Sequence, residues 1–233
     1  MELLNTDPIV RTVAVIPAYN EAETVGPVVD DTGEYVDRVV VADDGSSDDT
    51  AAVARDHGAV VVEHVFNTGV GGAVRTGYQY AIKHGYDWVV QVDADGQHDP
   101  AKIPELLDAA ADADMVIASR YLNESYQDYS ATRNAGIRFF TRLVNSLGDI
   151  EITDVTSGFR VYRVSMLEEI LHRGDKHWAI EQTLEAAKGG FRITEVSTKM
   201  PTREEGESQF TVDTFALYPV RMTDTILRVL LFR

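Results

Sequence analysis

Two aspartates and a glutamine follow one another closely at the end of a strand-like run. Residues 88–92 read Trp-Val-Val-Gln-Val, and Asp93, Asp95 and Gln97 come directly after them. Pro100 then opens a predicted helix. Carboxylate and amide oxygens suit Mg²⁺ or Mn²⁺, and a site with few protein ligands leaves room for a diphosphate. The spacing predicts a divalent-metal site; the alternative is a solvated acidic turn.

The elements that must position these residues alternate along the first half of the chain. Strand-like runs occupy residues 12–16, 39–41, 60–62, 88–92 and 115–118, and helical patterns lie near 21–30, 48–57, 71–84 and 101–111. Such alternation predicts an α/β fold with a mostly parallel twisted sheet and helices on both faces. Ligands of such sheets bind beyond the carboxyl ends of the strands, where the polar motifs of this chain fall.

After about residue 120 the pattern is less regular. Helices are predicted at 133–147 and 178–189, a turn at 157–160 leads into a short strand, and Phe191–Val196 returns a strand to the sheet. Residues 200–211 read as a loop, and 213–233 as an amphipathic helix that lies on a membrane or on the protein's own core. We expect one domain over 1–233, with a nucleotide half at about 10–120 and an acceptor half, including the loop, at about 121–212.

Composition narrows the classes of function. The formal net charge is -17, from 38 acidic and 21 basic side chains, which argues against nucleic-acid binding. The chain has no cysteine, so thiolate chemistry and disulfides are excluded. Aspartate outnumbers glutamate and arginine outnumbers lysine, a balance that favours a protein of concentrated salt. Neither a signal peptide nor a membrane-spanning run is recognised, so we expect a cytoplasmic protein, with contact to the cytoplasmic face of the membrane left open.

Two further motifs follow predicted strands. Asp43 and Asp44 end the second strand, where a carboxylate can accept hydrogen bonds from a base or a ribose, while Ser47 or Asp48 can cap the next helix. Residues 67–73 form a glycine-rich loop, but its spacing and the sequence after the first strand do not fit a dinucleotide-binding motif. A P-loop motif is also absent from the sequence.

Arginines in polar or turn-like segments of the second half are candidates for an anion-binding cage. Arg pairs bidentately with phosphate, although any single arginine is more often a surface ion-pair partner. His98, beside the acidic cluster, is either a ligand contact or a solvent-exposed histidine. The candidate arginines are Arg120, Arg133, Arg160 and Arg203.

Seven motifs in order resemble the family 2 glycosyltransferases, and within them the dolichyl-phosphate mannose and glucose synthases. The resemblance covers about residues 10 to 210. Its specificity comes from the order and intervals of the motifs, since no single one is decisive. The motifs are Pro17-Ala18-Tyr19-Asn20-Glu21, Asp43-Asp44-Gly45-Ser46, Asn67-x-Gly69-x-Gly71, Asp93-Ala94-Asp95-x-Gln97-His98, Ser119-Arg120, Ser157-Gly158-Phe159-Arg160 and Arg203-x-x-Gly206-x-Ser208.

The resemblance implies a GT-A fold and inverting, metal-dependent transfer of a hexose from GDP-mannose or UDP-glucose to dolichyl or polyprenyl phosphate. It implies Mg²⁺ or Mn²⁺ held by Asp93, Asp95 and Gln97, and catalytic roles for Asp95, Arg120 and Arg133. Arg133 and Arg160 are the expected acceptor contacts. The expected nucleotide-sugar contacts are Pro17, Tyr19, Glu21, Ala42, Asp44, Asp93, Ala94, Asp95, Gln97, Arg120 and Arg203.

Two positions depart from the family pattern. Gln209 stands where a lysine usually follows the loop serine, and Glu181 is the only candidate base on the helix that often carries an aspartate. A lipid phosphate is already anionic and needs no base, whereas a hydroxyl acceptor does. The alternative is therefore a family 2 enzyme that extends a glycan with Glu181 as base. A nucleotidyltransferase and a non-catalytic sugar-nucleotide or lipid-binding module are the other rivals.

Overall fold

The computed structural model describes residues 10–124, 131–170, 178–200 and 229, and of residues 124 and 131–133 it describes the backbone alone. The strands are β1 (Thr12–Ala18), β2 (Arg38–Asp43), β3 (Val60–Glu63), β4 (Trp88–Gln91), β5 (Met115–Ser119), β6 (Arg160–Arg163) and β7 (Ile193–Ser197). The α-helices are α1 (Val25–Gly33), α2 (Thr50–Asp56), α3 (Val70–Lys83), α4 (Ile103–Ala109), α5 (Ala131–Gly148), α6 (Val164–Glu169) and α7 (Trp178–Lys188).

The strands join one sheet in the order β3-β2-β1-β4-β6-β5-β7. The β1–β2, β1–β4, β2–β3 and β5–β7 pairs are parallel, and β6 runs antiparallel to both of its neighbours. The predicted α/β fold with a mostly parallel sheet is confirmed, with β6 as its reversed strand. Because β6 is reversed, its first residues meet the carboxyl ends of β4 and β5 at one edge of the sheet.

Each face of the sheet is covered by helices, because alternate strand residues point to opposite faces. α1, α2 and α4 pack on one face against residues that include Ile16, Val41 and Val90. α3, α5, α6 and α7 pack on the other face. There, a Cβ on Gly77 would lie 2.1 Å from Cγ1 of Val15, so α3 approaches β1 closely only because Gly77 lacks a side chain.

β1 continues through Pro17, where the sequence pattern predicted its end. Successive residues of β1 direct their backbone polar groups to alternate sides of the strand. The Ala18 carbonyl accepts from the Asp44 N–H on the β2 side, whereas the Val15 carbonyl accepts from the Val92 N–H on the β4 side. Pro17 has the same parity as Val15, and the β1–β4 register ends at Val15. The missing N–H of Pro17 therefore faces a place where no ladder bond is needed.

Some helices differ from the predicted ones. α1 begins at Val25 instead of near residue 21, and α6 was not predicted, because six residues carry too little periodicity to stand out. Of the predicted helix at 213–233 the structure describes Val229, which is helical, 5% exposed and packed in a cluster with Leu184. The rest of that helix lies outside the described residues. Within the described part of the chain, no helix has the length and hydropathy to cross a membrane.

Candidate active site

Asp93 lies at the carboxyl edge of the sheet, just beyond β4. Its backbone N–H donates to Nδ1 of His98 at 3.0 Å. Its carboxylate lies against Gly158, where a Cβ would be 2.7 Å from Oδ2, so the glycine of the motif before β6 makes room for this carboxylate. The Asp93 side chain is 38% exposed. The carboxylate therefore lies against Gly158 on one side and is partly exposed to solvent on another.

Asp95 and Gln97 belong to the same short turn. The Gln97 N–H donates to Oδ1 of Asp95 at 3.1 Å, and Gly96 between them has a φ of 72°, a left-handed conformation that favours glycine. Both side chains are half-buried. The part of the chain that the structure describes contains no group of three acidic, histidine or cysteine side chains arranged to hold a metal. Metal binding by this turn therefore stays a prediction.

Burial and neighbouring charges shift the pKa values of Asp93 and His98. Burial raises the pKa of the Asp93 carboxyl to about 6, although the guanidinium of Arg120 opposes this. Burial also lowers the pKa of His98 to about 4, opposed by Asp95 and reinforced by Arg120. His98 is therefore neutral at neutral pH. The charge of Arg120 therefore affects the pKa of both Asp93 and His98.

Arg120 follows β5 and is held by Asp154, a residue that the sequence analysis did not single out. The guanidinium donates from Nε to Oδ2 at 2.7 Å and from Nη2 to Oδ1 at 2.9 Å, and Nη2 also donates to Oγ1 of Thr156. Asp154 is 0% exposed. Burial alone raises the pKa of its carboxyl, but Arg120 and the hydrogen bond from Thr156 outweigh it and hold the pKa below its usual value.

Glu195 of β7 supports the loop that carries Asp154. Its carboxylate accepts from the Thr153 N–H at 2.7 Å and the Asp154 N–H at 2.9 Å. Burial raises the pKa of Glu195, with these hydrogen bonds opposing. A chain of contacts therefore runs from the outer strand β7 to Arg120. No sequence signal linked these residues, because they are far apart along the chain.

Arg160 is placed differently from the expectation. It is 0% exposed, and its guanidinium donates to the carbonyls of Ser157 (2.6 Å), Val155 (2.7 Å) and Ala179 (3.0 Å) and to Oγ1 of Thr183 (3.0 Å). The sequence predicted polar or turn-like surroundings for Arg160; its partners are polar, but they hold the side chain in the interior. Arg160 ties the start of β6 to α7, and a contact with an acceptor phosphate gains no support from this geometry.

The residues predicted to bind the nucleoside follow β1 and β2. Pro17 and Ala42 are register partners, and Ala42 is fully buried. Tyr19 is 41% exposed. Glu21 accepts from Oγ1 of Thr24 at 2.9 Å, and its charge reaches Asp93. The two strand ends are therefore adjacent to each other and near the acidic turn.

Asn20, which the sequence analysis assigned no separate role, links the two loops. Its Oδ1 accepts from the Ser47 N–H at 2.8 Å, and its own N–H donates to Oγ of Ser46 at 2.9 Å. Asn20 has a φ of 54°. Asparagine tolerates this left-handed conformation better than most residues, which fits its place in the motif. The loop after β1 is thereby fastened to the loop after β2.

Asp44 is 3% exposed and is used by the protein itself. Its Oδ1 accepts from the N–H and Oγ1 of Thr68 at 2.8 and 2.7 Å and lies 2.7 Å from Nδ1 of His64, while Oδ2 accepts from the Gly69 N–H at 2.8 Å. Asp44 therefore fixes the loop that precedes α3. Its predicted contact with a base or ribose stays a prediction.

The remaining predicted residues are placed as follows. Ala94 is 3% exposed, within the acidic turn. Glu181 is 5% exposed and lies in the first turn of α7. Arg133 belongs to α5, and its side chain lies outside the described residues, as does the whole of Arg203. Their roles stay predictions.

The chain is similar to known transferases over most of its length. The sequence profile described as Glycosyl transferase family 2 matches residues 13–171. An undecaprenyl-phosphate mannosyltransferase of Micrococcus luteus is 33% identical over 85% of this chain and 87% of its own. A polyprenol monophosphomannose synthase of Mycolicibacterium smegmatis is 34% identical over 87% and 82%. A dolichyl-phosphate hexose transferase of Haloferax volcanii is 30% identical over 87% and 86%.

The fold is also found in solved structures. A glucosyl-3-phosphoglycerate synthase of Mycobacterium tuberculosis, solved with Mn²⁺, UDP and phosphoglyceric acid, superposes with a TM-score of 0.74. It is 21% identical and covers 94% of this chain and 78% of its own. The sheet and this superposition define the chain as an α/β protein of the GT-A fold. The chain belongs to glycosyl transferase family 2.

Proposed function

We propose that the protein transfers a hexose from a nucleoside-diphosphate sugar to a polyprenyl phosphate, with a divalent metal ion. The observation that carries the proposal is the partly exposed Asp93 carboxylate against Gly158, with the buried Arg120 just beyond β5 at the same carboxyl edge of the sheet. Three relatives named for polyprenyl or dolichyl phosphates, each matched over most of its length, support this class of acceptor.

The acidic turn has the donor chemistry of a metal site completed by substrate. Mg²⁺ is typically bound by one or two carboxylates together with water and substrate phosphates. Asp93 and Asp95, with the amide oxygen of Gln97, fit that pattern, which needs no cluster of three acidic or histidine side chains in the protein. The metal would stabilise charge on the departing nucleoside diphosphate, a contribution of several kcal/mol.

The protein's own groups have separable tasks in this reaction. Arg120 supplies a positive charge in a fixed position, because Asp154 accepts two hydrogen bonds from its guanidinium. Tyr19 and Glu21 are proposed to edge the nucleoside, and Arg133 and Arg203 to contact phosphates. The lipid phosphate attacks without deprotonation, so the reaction requires no general base. The 5% exposure of Glu181 accords with this, because a base must reach the acceptor hydroxyl.

A polyprenyl phosphate acceptor would bring the reaction to a membrane surface. We propose peripheral association at the cytoplasmic face, where nucleotide sugars meet the phosphate end of the lipid. The predicted helix at 213–233 is the candidate contact, although Val229 packs with Leu184 inside the protein. Sedimentation with vesicles, compared with a variant that ends before residue 213, tests this association.

The test of function is a donor panel. GDP-mannose, UDP-glucose and UDP-N-acetylglucosamine are each incubated with polyprenyl phosphate and Mn²⁺, and glycolipid is scored by chromatography. We expect one donor to yield glycolipid and the corresponding nucleoside diphosphate in equal amounts, with no product when a chelator is added. Efficient transfer to a glycan hydroxyl, with none to the lipid phosphate, would overturn the proposal.

A further inference from the structure

His98 contacts both the backbone and the carboxylate of Asp93. Its Nδ1 lies 3.0 Å from the Asp93 backbone nitrogen, and its Nε2 lies 3.5 Å from Oδ2. The His98 side chain is only 3% exposed. Its ring stacks on Phe159, with 5.0 Å between centroids and 12° between planes. The sequence analysis left open whether His98 touches a ligand or faces solvent, and the structure places it beneath the acidic turn instead.

The hydrogen-bond pattern determines the form of the ring. A backbone N–H can only donate, so Nδ1 must be the acceptor and carries no proton. The proton of the neutral ring is therefore on Nε2, which lies 3.5 Å from Oδ2 of Asp93, a close contact longer than an ordinary hydrogen bond. Nδ1 accepts from the Asp93 N–H and Nε2 carries the proton, so neither nitrogen has a lone pair available for a metal.

Other groups restrict the same carboxylate and the same ring. Gly158 lies against the Asp93 carboxylate, and Phe159, fully buried just before β6, stacks on the His98 ring. The motif before β6 and the motif after β4 therefore form one unit. His98 holds the Asp93 backbone by a hydrogen bond and lies against its carboxylate, and Gly158 lies against the same carboxylate.

We propose that His98 is a positioning residue, which holds Asp93 in the orientation that binds the divalent metal without itself binding it. The inference rests on the proposed function, because it assigns the carboxylate to the metal. Replacing residues that orient metal ligands typically lowers metal affinity about 10- to 100-fold. We expect a loss of this size when His98 is replaced.

Two substitutions separate the two contacts. In His98→Asn the amide oxygen can replace Nδ1 as the acceptor, and in His98→Gln the amide nitrogen can replace Nε2 as the donor. The matched control is His57→Asn, since His57 is a surface histidine with a 35% exposed side chain that pairs with Asp30. Circular dichroism and thermal unfolding establish that each variant is folded.

Direct binding of Mn²⁺ is measured from the electron paramagnetic resonance signal of the free ion, with UDP or GDP present. We expect the Kd for Mn²⁺ to rise about 10-fold or more in both His98 variants and to stay within twofold of the wild type in His57→Asn. In transfer assays, the rates of the His98 variants should fall well below that of the wild type at low Mn²⁺. At saturating Mn²⁺ they should approach the wild-type rate.

Three results would overturn the inference. One is a Kd for Mn²⁺ within twofold of wild type in folded His98 variants. Another is a fall in turnover that saturating Mn²⁺ does not reverse and that comes with no change in Kd. The third is failure of both variants to fold, which assigns His98 to the core alone. Failure of the proposed function is distinct, because it appears as absent glycolipid formation by the wild type.

Discussion

Replacing Asp154 with asparagine removes the charge opposite Arg120 while keeping the size of the side chain. The Arg120 and Asp154 side chains are 8% and 0% exposed, and two hydrogen bonds of 2.7 and 2.9 Å join them. Water cannot take over the role of the carboxylate at this depth. The substitution therefore leaves a buried guanidinium without its counter-charge.

Removal of one partner from a buried ion pair typically costs about 3–5 kcal/mol. Domains have a free energy of unfolding of about 5–15 kcal/mol, so this loss is readily measured by urea unfolding at pH 7. The control is Asp114→Asn, which affects the Arg163–Asp114 pair, joined at 3.1 Å with side chains 36% and 20% exposed. Solvent screens that pair, so its loss should cost about 1 kcal/mol or less.

The same substitution should also lower catalysis. Asp154 fixes the guanidinium that is proposed to face the diphosphate, so turnover per folded molecule should fall while the control keeps wild-type turnover. If Asp154→Asn lost no more stability than Asp114→Asn, the reasoning would be refuted. Such a result would mean that Arg120 finds equivalent partners without the carboxylate.

Three further predictions follow from the site. Gly158→Ala puts a Cβ 2.7 Å from a carboxylate oxygen of Asp93, so turnover in a steady-state assay should fall about 10- to 100-fold. The control is Gly136→Ala, where a Cβ meets nothing within 4 Å and turnover should not change. Equal effects of the two substitutions would contradict the close contact. Asp95→Ala should lower turnover about a thousandfold, whereas Glu181→Gln should leave substantial transfer to a lipid phosphate. An equal loss of turnover in the two variants would favour a hydroxyl acceptor. The pKa of Asp154 is lowered on folding, so its contribution to stability is present above about pH 4 and is lost as the pH falls further. The stability of Asp154→Asn should therefore fall less steeply with acid than that of the wild type. The same pH dependence in both proteins would contradict the assignment.

The sequence predicted the sheet well, because most of its strands are local β-branched runs. β2, β3 and β5 were located to within about two residues, and the polar motifs fell at their carboxyl ends as expected. The reversed direction of β6 was not predicted. Strand direction depends on how a connection crosses the sheet, which the short run Arg160–Arg163 does not encode.

The candidate site was predicted in part. Asp93 and Arg120 were placed at the correct edge, because each directly follows a strand. Asp154 and His64 were missed, since each acts on a residue 34 or 20 positions away and has no distinctive pattern of its own. Arg160 was expected in polar or turn-like surroundings, but its guanidinium is buried against carbonyl groups; its contact with an acceptor stays a prediction.

The sequence by itself determined which chemical groups stand at the strand ends, because that order follows from local alternation of apolar and polar residues. Only the tertiary structure decided what those groups do. The carboxylate of Asp44 contacts a neighbouring loop and that of Asp154 contacts Arg120, whereas that of Asp93 lies against Gly158 and is partly exposed. Which partner a charge finds depends on contacts between distant segments and on what burial leaves within reach.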